Sequence, residues 1–206
     1  MTIRIRNLCV GALITIAASV AASEPKFLDV WRSPEISRLN FAGRKIAALV
    51  IADDQSLQMS GEEALTRELT ARNTNGVASY RLVPREELKN PDTARGWFER
   101  AGVQGVVALR PVSRETEKSY SPVVWSSGYY QSFWGYYGYG WSSVYVARSS
   151  SDTTTVVVET SIYDLTRDRL VWAATSETKN PKQLQDFIAD LVNAAVGEMK
   201  KMKLIG

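Results

Sequence analysis

The chain has 206 residues, 25 basic against 22 acidic, no histidine and one cysteine, Cys9. That composition excludes Ser-His-Asp triads, intramolecular disulfides and metal sites built from His or several Cys. Its length suits one domain with a real core, and its near balance of charge lacks the concentrated basic face of a nucleic-acid binder.

Residues 1–22 read as a secretory signal peptide. Arg4 and Arg6 precede an apolar, small-residue run from Leu8 to Ala22, and small residues at Ala22/Ser23 suit a cleavage site. The run is shorter than the ~20 residues of a membrane-spanning helix. Cys9 stands at its start, where a lipidated cysteine would stand at its end, so lipidation at Cys9 is not expected. Cleavage would remove the thiol, and taking Arg4 and Arg6 from the 25 basic residues leaves 23 against 22 acidic, a net charge of +1. Residues 24–206 are then expected to form a periplasmic or otherwise exported domain.

Phe27 to Trp31 predicts a short edge strand, ended by Pro34, which cannot donate to a ladder. Lys45 to Ala52 is a continuous apolar run, the pattern of a central strand covered on both faces. Asp53 and Asp54 follow it, a pairing that suits a turn or, with a third ligand, a cation or acid–base site. Ser60 and Glu63 have capping-box spacing, with Leu65 and Leu69 facing the sheet and Asn75-Gly76 closing the helix. Val77 to Val83 alternates as a strand. Asn90-Pro91 starts a second helix, with Pro at its first position and Ala94, Trp97, Phe98 and Ala101 as its buried stripe. Val103 to Val112 is another apolar strand.

Residues 119–147 then contain no charge at all. Tyr120 to Tyr145 hold 11 of the chain's 20 aromatics, interleaved with Gly128, Gly135, Gly138 and Gly140. The stretch is too polar and glycine-rich to span a bilayer. It predicts a long loop, either with rings packed on each other and on the domain, or with rings presented to a ligand. Tyr and Trp provide rigid amphipathic contact area, and long loops in compact domains are often functional. The candidate contact residues are Trp125, Tyr129, Tyr130, Phe133, Trp134, Tyr136, Tyr137, Tyr139 and Trp141.

Thr153 to Leu165 predicts a long strand, with Val156, Val158, Thr160 and Ile162 on one face and Val157, Glu159, Ser161 and Tyr163 on the other. Thr166-Arg167-Asp168 turns the chain into a strand over 169–177, with Leu170, Trp172 and Ala174 on one face. Asn180-Pro181-Lys182-Gln183 restarts a helix, whose apolar stripe runs from Leu184 to Met202. The order (β)-β-α-β-α-β-β-β-α predicts a single α/β (α+β) domain: a mixed sheet with about three helices, and the aromatic insertion between two antiparallel strands.

Several of these stretches carry a family likeness. Ile46–Ala52, Ala101–Leu109, the hairpin from Tyr163 to Trp172 and the motif Asp29-Val-Trp-Arg-Ser-Pro34 resemble a group of bacterial envelope proteins, often lipoproteins, with a fold similar to the TolB amino-terminal domain. Such domains also occur in curli-secretion and penicillin-binding-protein-activator lipoproteins. Those hairpins commonly turn through Thr-Gly where this chain has Arg167-Asp168-Arg169. The resemblance implies a mixed-sheet fold and non-enzymatic envelope roles, and it brings no catalytic residues.

The reading is therefore a non-catalytic exported module that presents its aromatic loop to an envelope protein or to a second copy of itself. A glycan- or peptidoglycan-binding module using the same rings is the alternative, since sugar C–H faces stack on Trp and Tyr. A carboxylate hydrolase needs paired acids about 5–10 Å apart, for which Asp53, Asp54 and Glu159 are the candidates. Peripheral membrane contact through Trp and Tyr is a further option, though the loop lacks the Lys and Arg of an electrostatic anchor. No cofactor, metal or nucleic acid is implied.

Overall fold

The computed structural model describes residues 25–112, 125, 128–144, 155–181 and 183–206. The expected leader, its expected cleavage point and Cys9 lie outside the described residues, as do 119–124, 126–127 and 145–147 of the insertion. Six strands form one mixed sheet: β1 (Lys26–Arg32), β2 (Lys45–Val50), β3 (Asn75–Ala78), β4 (Gly105–Val112), β5 (Thr155–Asp164) and β6 (Arg169–Lys179). Their spatial order is β1-β6-β5-β4-β2-β3. β2 is parallel to β3 and β4; β4–β5, β5–β6 and β1–β6 are antiparallel. The described helices are α1 (Gln55–Thr70), α2 (Pro91–Arg100), α3 (Phe133–Ser142) and α4 (Leu184–Lys201).

Connection handedness sorts the first two helices. The step from β2 to β3 goes outward through α1, and the step from β3 back across β2 to β4 goes through α2. Right-handed crossovers in opposite directions require opposite faces. Leu65 and Leu69 of α1 accordingly share one apolar cluster with Ile188, Leu191 and Val196 of α4. Ala94 and Phe98 of α2 share the other with Phe133 and Tyr137 of α3. β2 feeds both layers by alternation: Ile46, Ala48 and Val50 face the α1/α4 side, and Ala47, Leu49 and Ile51 the aromatic side. A strand buried on both faces reads as a continuous apolar run.

The aromatic insertion lies between antiparallel strands, as its position predicts, but its centre is a helix. Ser132 caps α3, its Oγ accepting from the Gly135 N–H at 3.1 Å. Other expected elements shift for local reasons. α1 begins at Gln55, five residues before Ser60, because the Asp54 carboxylate accepts from the Leu57 N–H at 2.9 Å and caps it there. Ser60 instead sits inside the helix, donating to the Ser56 carbonyl. The third strand is Asn75–Ala78, not 77–83, and Ser79–Arg81 form a 3₁₀ turn. The left-handed residue closing α1 is Asn73 (φ 58°), not Asn75-Gly76.

Asn90 and Pro91 start α2 as their types dictate, Asn90 Oδ1 accepting from the Asp92 N–H at 3.0 Å. Asn180 does not play the same part for α4. It adopts φ 45°, whereas a side-chain cap needs extended backbone, and α4 begins at Leu184. Between Ile162 and Tyr163 of β5 the pairing slips, with Trp172 and then Leu170 opposite. One extra residue on β6 reverses the alternation there. Leu170 thus joins the aromatic side while Trp172 and Ala174 face α1 and α4.

Candidate functional site

The insertion is anchored from the inside. Trp125, Phe133, Tyr136 and Tyr137 are fully buried, Tyr130 is 2% exposed and Trp141 7%. The Phe133 ring packs against Phe98, Trp134, Tyr137 and Tyr163, with centroids 4.8–5.8 Å away. Mostly tilted and edge-on geometry is what aromatic quadrupoles favour. Several of the buried polar tips reach backbone carbonyls. Trp125 Nε1 donates to the Asp29 carbonyl at 3.2 Å, Tyr163 Oη to the Tyr130 carbonyl at 3.0 Å, and Tyr137 Oη to the Leu88 carbonyl. Burial pushes the Tyr137 and Tyr163 hydroxyls well above the ordinary tyrosine value.

Beneath the helix lies an ion pair. Arg110 of β4 and Glu159 of β5 are register partners, both buried, with Arg110 Nη2 3.0 Å from Glu159 Oε2. Tyr130 Oη donates to the same carboxylate oxygen at 2.9 Å, and Arg110 Nη1 donates to Ser143 Oγ at 3.0 Å. The guanidinium carbon lies 4.9 Å from the centre of the Tyr139 ring. Buried charges are tolerable only when paired and hydrogen-bonded, and this group ties α3 and the preceding turn to the sheet.

The outer face of α3 differs. Trp134 and Tyr139 are half-buried and form its two flanks, and Gly135, Gly138 and Ser142 lie between them on the helical wheel. Arg95 of α2 stands over Trp134, 5.0 Å from its ring centre. On the other flank Tyr129, 38% exposed, stacks on Tyr139 at 3.8 Å and 20°. Partial burial, with the adjoining Tyr139 hydroxyl, raises the Tyr129 hydroxyl to about 12. Burial acts the same way on Tyr139. The hydrogen bond with Tyr129 and the Arg110 charge outweigh it, and the Tyr139 hydroxyl is held below its ordinary value. The outer face of α3 itself thus carries no charge, with Gly135, Gly138 and Ser142 between the Trp134 and Tyr139 rings, Pro91 beside Gly138 and Arg95 over Trp134.

Of the nine sequence candidates, then, Tyr129, Trp134 and Tyr139 reach the surface, and Trp125, Tyr130, Phe133, Tyr136, Tyr137 and Trp141 belong to the core. Trp125, Tyr129 and Tyr130 precede α3; for the six within it the cause is helical geometry. At 100° per residue, Phe133, Tyr136, Tyr137, Gly140 and Trp141 share one face, and that face meets the sheet. The three carboxylates considered for hydrolysis have separate engagements. Asp53 pairs with Lys89 at 2.9 Å, Asp54 caps α1, and Glu159 holds Arg110.

One buried carboxylate escaped the sequence reading. Glu62 of α1 is fully buried. Its Oε1 accepts from the Val50 N–H at 3.1 Å, Gln58 Nε2 at 3.2 Å and Ser79 Oγ at 2.6 Å, and its Oε2 from the Tyr80 N–H at 2.8 Å. Burial raises it to about 7 against the pull of those four donors. Only its place on the inner side of α1, one turn before Leu65 and two before Leu69, marks it in the sequence. No group of three or more metal-ligating side chains occurs among the described residues, and no described helix is long and apolar enough to cross a membrane.

No protein-family model matches the chain, and no curated protein does. Among solved structures it is similar to two crystal forms of the PelC dodecamer from Paraburkholderia phytofirmans. A single-substitution variant aligns at 12% identity and TM-score 0.47, covering 87% of this chain and 99% of that one. The second form aligns at 10% identity and TM-score 0.44, covering 87% and 97%.

Proposed function

We propose that the chain is a non-catalytic, exported binding module whose contact surface for an envelope protein is the outer face of α3. One observation carries the reading: this surface helix has no charged residue, and small residues line its floor between half-exposed rings. A free-standing surface helix would ordinarily turn a polar, charged face to water. Glycine and serine let a partner backbone approach closely, while Trp134, Tyr129 and Tyr139 supply the ring types enriched at interfaces. The buried rings hold the helix rigid, which lowers the entropy lost on binding.

Site-specific photo-crosslinking tests the face directly. A benzophenone side chain at Ser142 is expected to give one discrete adduct with a protein of the source envelope. The same group at Asn193, exposed on α4 on the opposite side of the sheet, is expected to give none. Equal labelling from both positions, or none from Ser142, contradicts the reading.

A further inference from the structure

A second concave site lies at the other end of the sheet from the β2 exit, where the β5–β6 hairpin turns beside the end of β1. It is a cleft of about 330 Å³, at the lower end of ligand-sized sites, about 300–1,000 Å³. Trp31 and Trp125 line it, with Ser33, Glu35, Asp164, Arg167 and Arg169 among its polar neighbours.

The cleft is built, not incidental. β1 carries one extra residue between Leu28 and Trp31 relative to β6, and Asp29 takes a left-handed φ of 46° there. Such bulges re-aim the side chains beside them, and here the re-aimed side chain is Trp31. The bulge is held by the Trp125 Nε1 bond to the Asp29 carbonyl, and the strand end by the Ser33 N–H donating to the Val171 carbonyl at 2.9 Å. Opposite, Asp164 is 1% exposed. It accepts from the Thr166 N–H at 2.9 Å and from Thr166 Oγ1, and pairs with Arg167 at 2.7 Å. Among the described residues, Glu35 and Arg169 have no ion-pair partner. The two sequence motifs 29–34 and 163–172 thus meet at this one place.

We propose that the cleft binds a neutral pyranose unit. The chemistry has three parts. The face of an aromatic ring is electron-rich, so the half-buried Trp31 indole suits the C–H face of a sugar ring. Glu35 offers acceptors, and Arg169 offers several donors in a fixed plane. The two arginines and two carboxylates cancel, so the site gives an anionic ligand no net attraction. This site is separate from the α3 face, and its success or failure is independent of the partner contact proposed there.

The test is a titration of the purified chain with glucose, galactose, mannose, N-acetylglucosamine and their disaccharides, with galacturonate and trialanine as controls. It is followed by tryptophan fluorescence and by saturation-transfer NMR. At least one neutral sugar is expected to bind, with saturation strongest along one C–H face. Trp31→Ala and Arg169→Met should each weaken it by about tenfold or more, and Trp134→Ser should leave it unchanged. Arg169 is exposed at the start of β6, so its variant keeps the test valid even where loss of the indole harms folding. The proposal is overturned if no neutral sugar binds, if binding survives Arg169→Met undiminished, or if galacturonate or trialanine binds more tightly than every neutral sugar.

Discussion

Glu62 shows how a single carboxyl group ties elements together. It joins the end of β2, the middle of α1 and the turn after β3 through four donors, yet burial still raises it to about 7. The folded chain therefore holds this proton more tightly than the unfolded chain, where the ordinary value is 4.5. Its contribution to stability is fully present below pH 4.5 and is lost as pH rises toward about 7. Glu62→Gln removes the titration. Urea midpoints are expected to show the variant gaining on the wild type steadily across that window. A gap that stays flat with pH would show that the hydrogen bonds, and not burial, govern the group. Periodicity puts Glu62 on the inner face of α1, one turn before Leu65, but not the donors that hold it, which appear only when the turn carrying Ser79 and Tyr80 is placed against it.

At the scale of elements, α3 decides the character of the insertion, and its glycines have unequal roles. A Cβ at Gly140 would stand 2.6 Å from Ile51 Cδ1, a fully buried side chain of the sheet. A Cβ at Gly138 would meet Pro91 Cγ at 3.5 Å, an ordinary contact. Alanine is favoured over glycine inside a helix by about 0.8–1.0 kcal/mol, whereas overpacking a core costs about 1–3 kcal/mol. Thermal or urea unfolding should place Gly138→Ala above the wild type and Gly140→Ala below Gly138→Ala by about 1–3 kcal/mol. If the two variants unfold alike, α3 is not packed against the sheet as described.

This helix was also the least legible part of the fold. β2 and β4 announce themselves as apolar runs, β5 as a long strand with two distinct faces, and Asn90-Pro91 marks α2 by cap chemistry alone. In 133–142 three glycines depress helix propensity and aromatics fill both faces, so no stripe of period 3.6 stands out. Tertiary packing overrides the local preference. The face buried on Phe98 and Tyr163 holds the helix in place, and the 3.6 period becomes visible only in which rings are buried. The same cause divides the part of the candidate site within α3: composition identified the nine rings, but helical phase separates Trp134 and Tyr139 from Phe133, Tyr136, Tyr137 and Trp141, and the preceding turn separates Tyr129 from Tyr130. The slip between β5 and β6 was hidden likewise, since a bulge leaves no mark on composition.

For the whole molecule, the arrangement separates support from contact. One apolar layer, under α1 and α4, contains mostly aliphatic residues and Trp172. The other holds the aromatic cluster and the Arg110–Glu159 pair, and it fixes an uncharged helix face outward. On the proposed function this outer face alone, and not the aromatic stretch as a whole, meets a partner. The most direct measurement is co-sedimentation of the purified chain with envelope from the source cells, wild type beside the triple variant Tyr129→Ser, Trp134→Ser, Tyr139→Ser. Trp134 also packs on Phe98 and Phe133, and Tyr139 lies under Arg110, so the two proteins are compared at a temperature below both unfolding midpoints, where each is folded. The wild type is expected to sediment and the triple variant to stay in solution. Equal sedimentation of two equally folded proteins would contradict it.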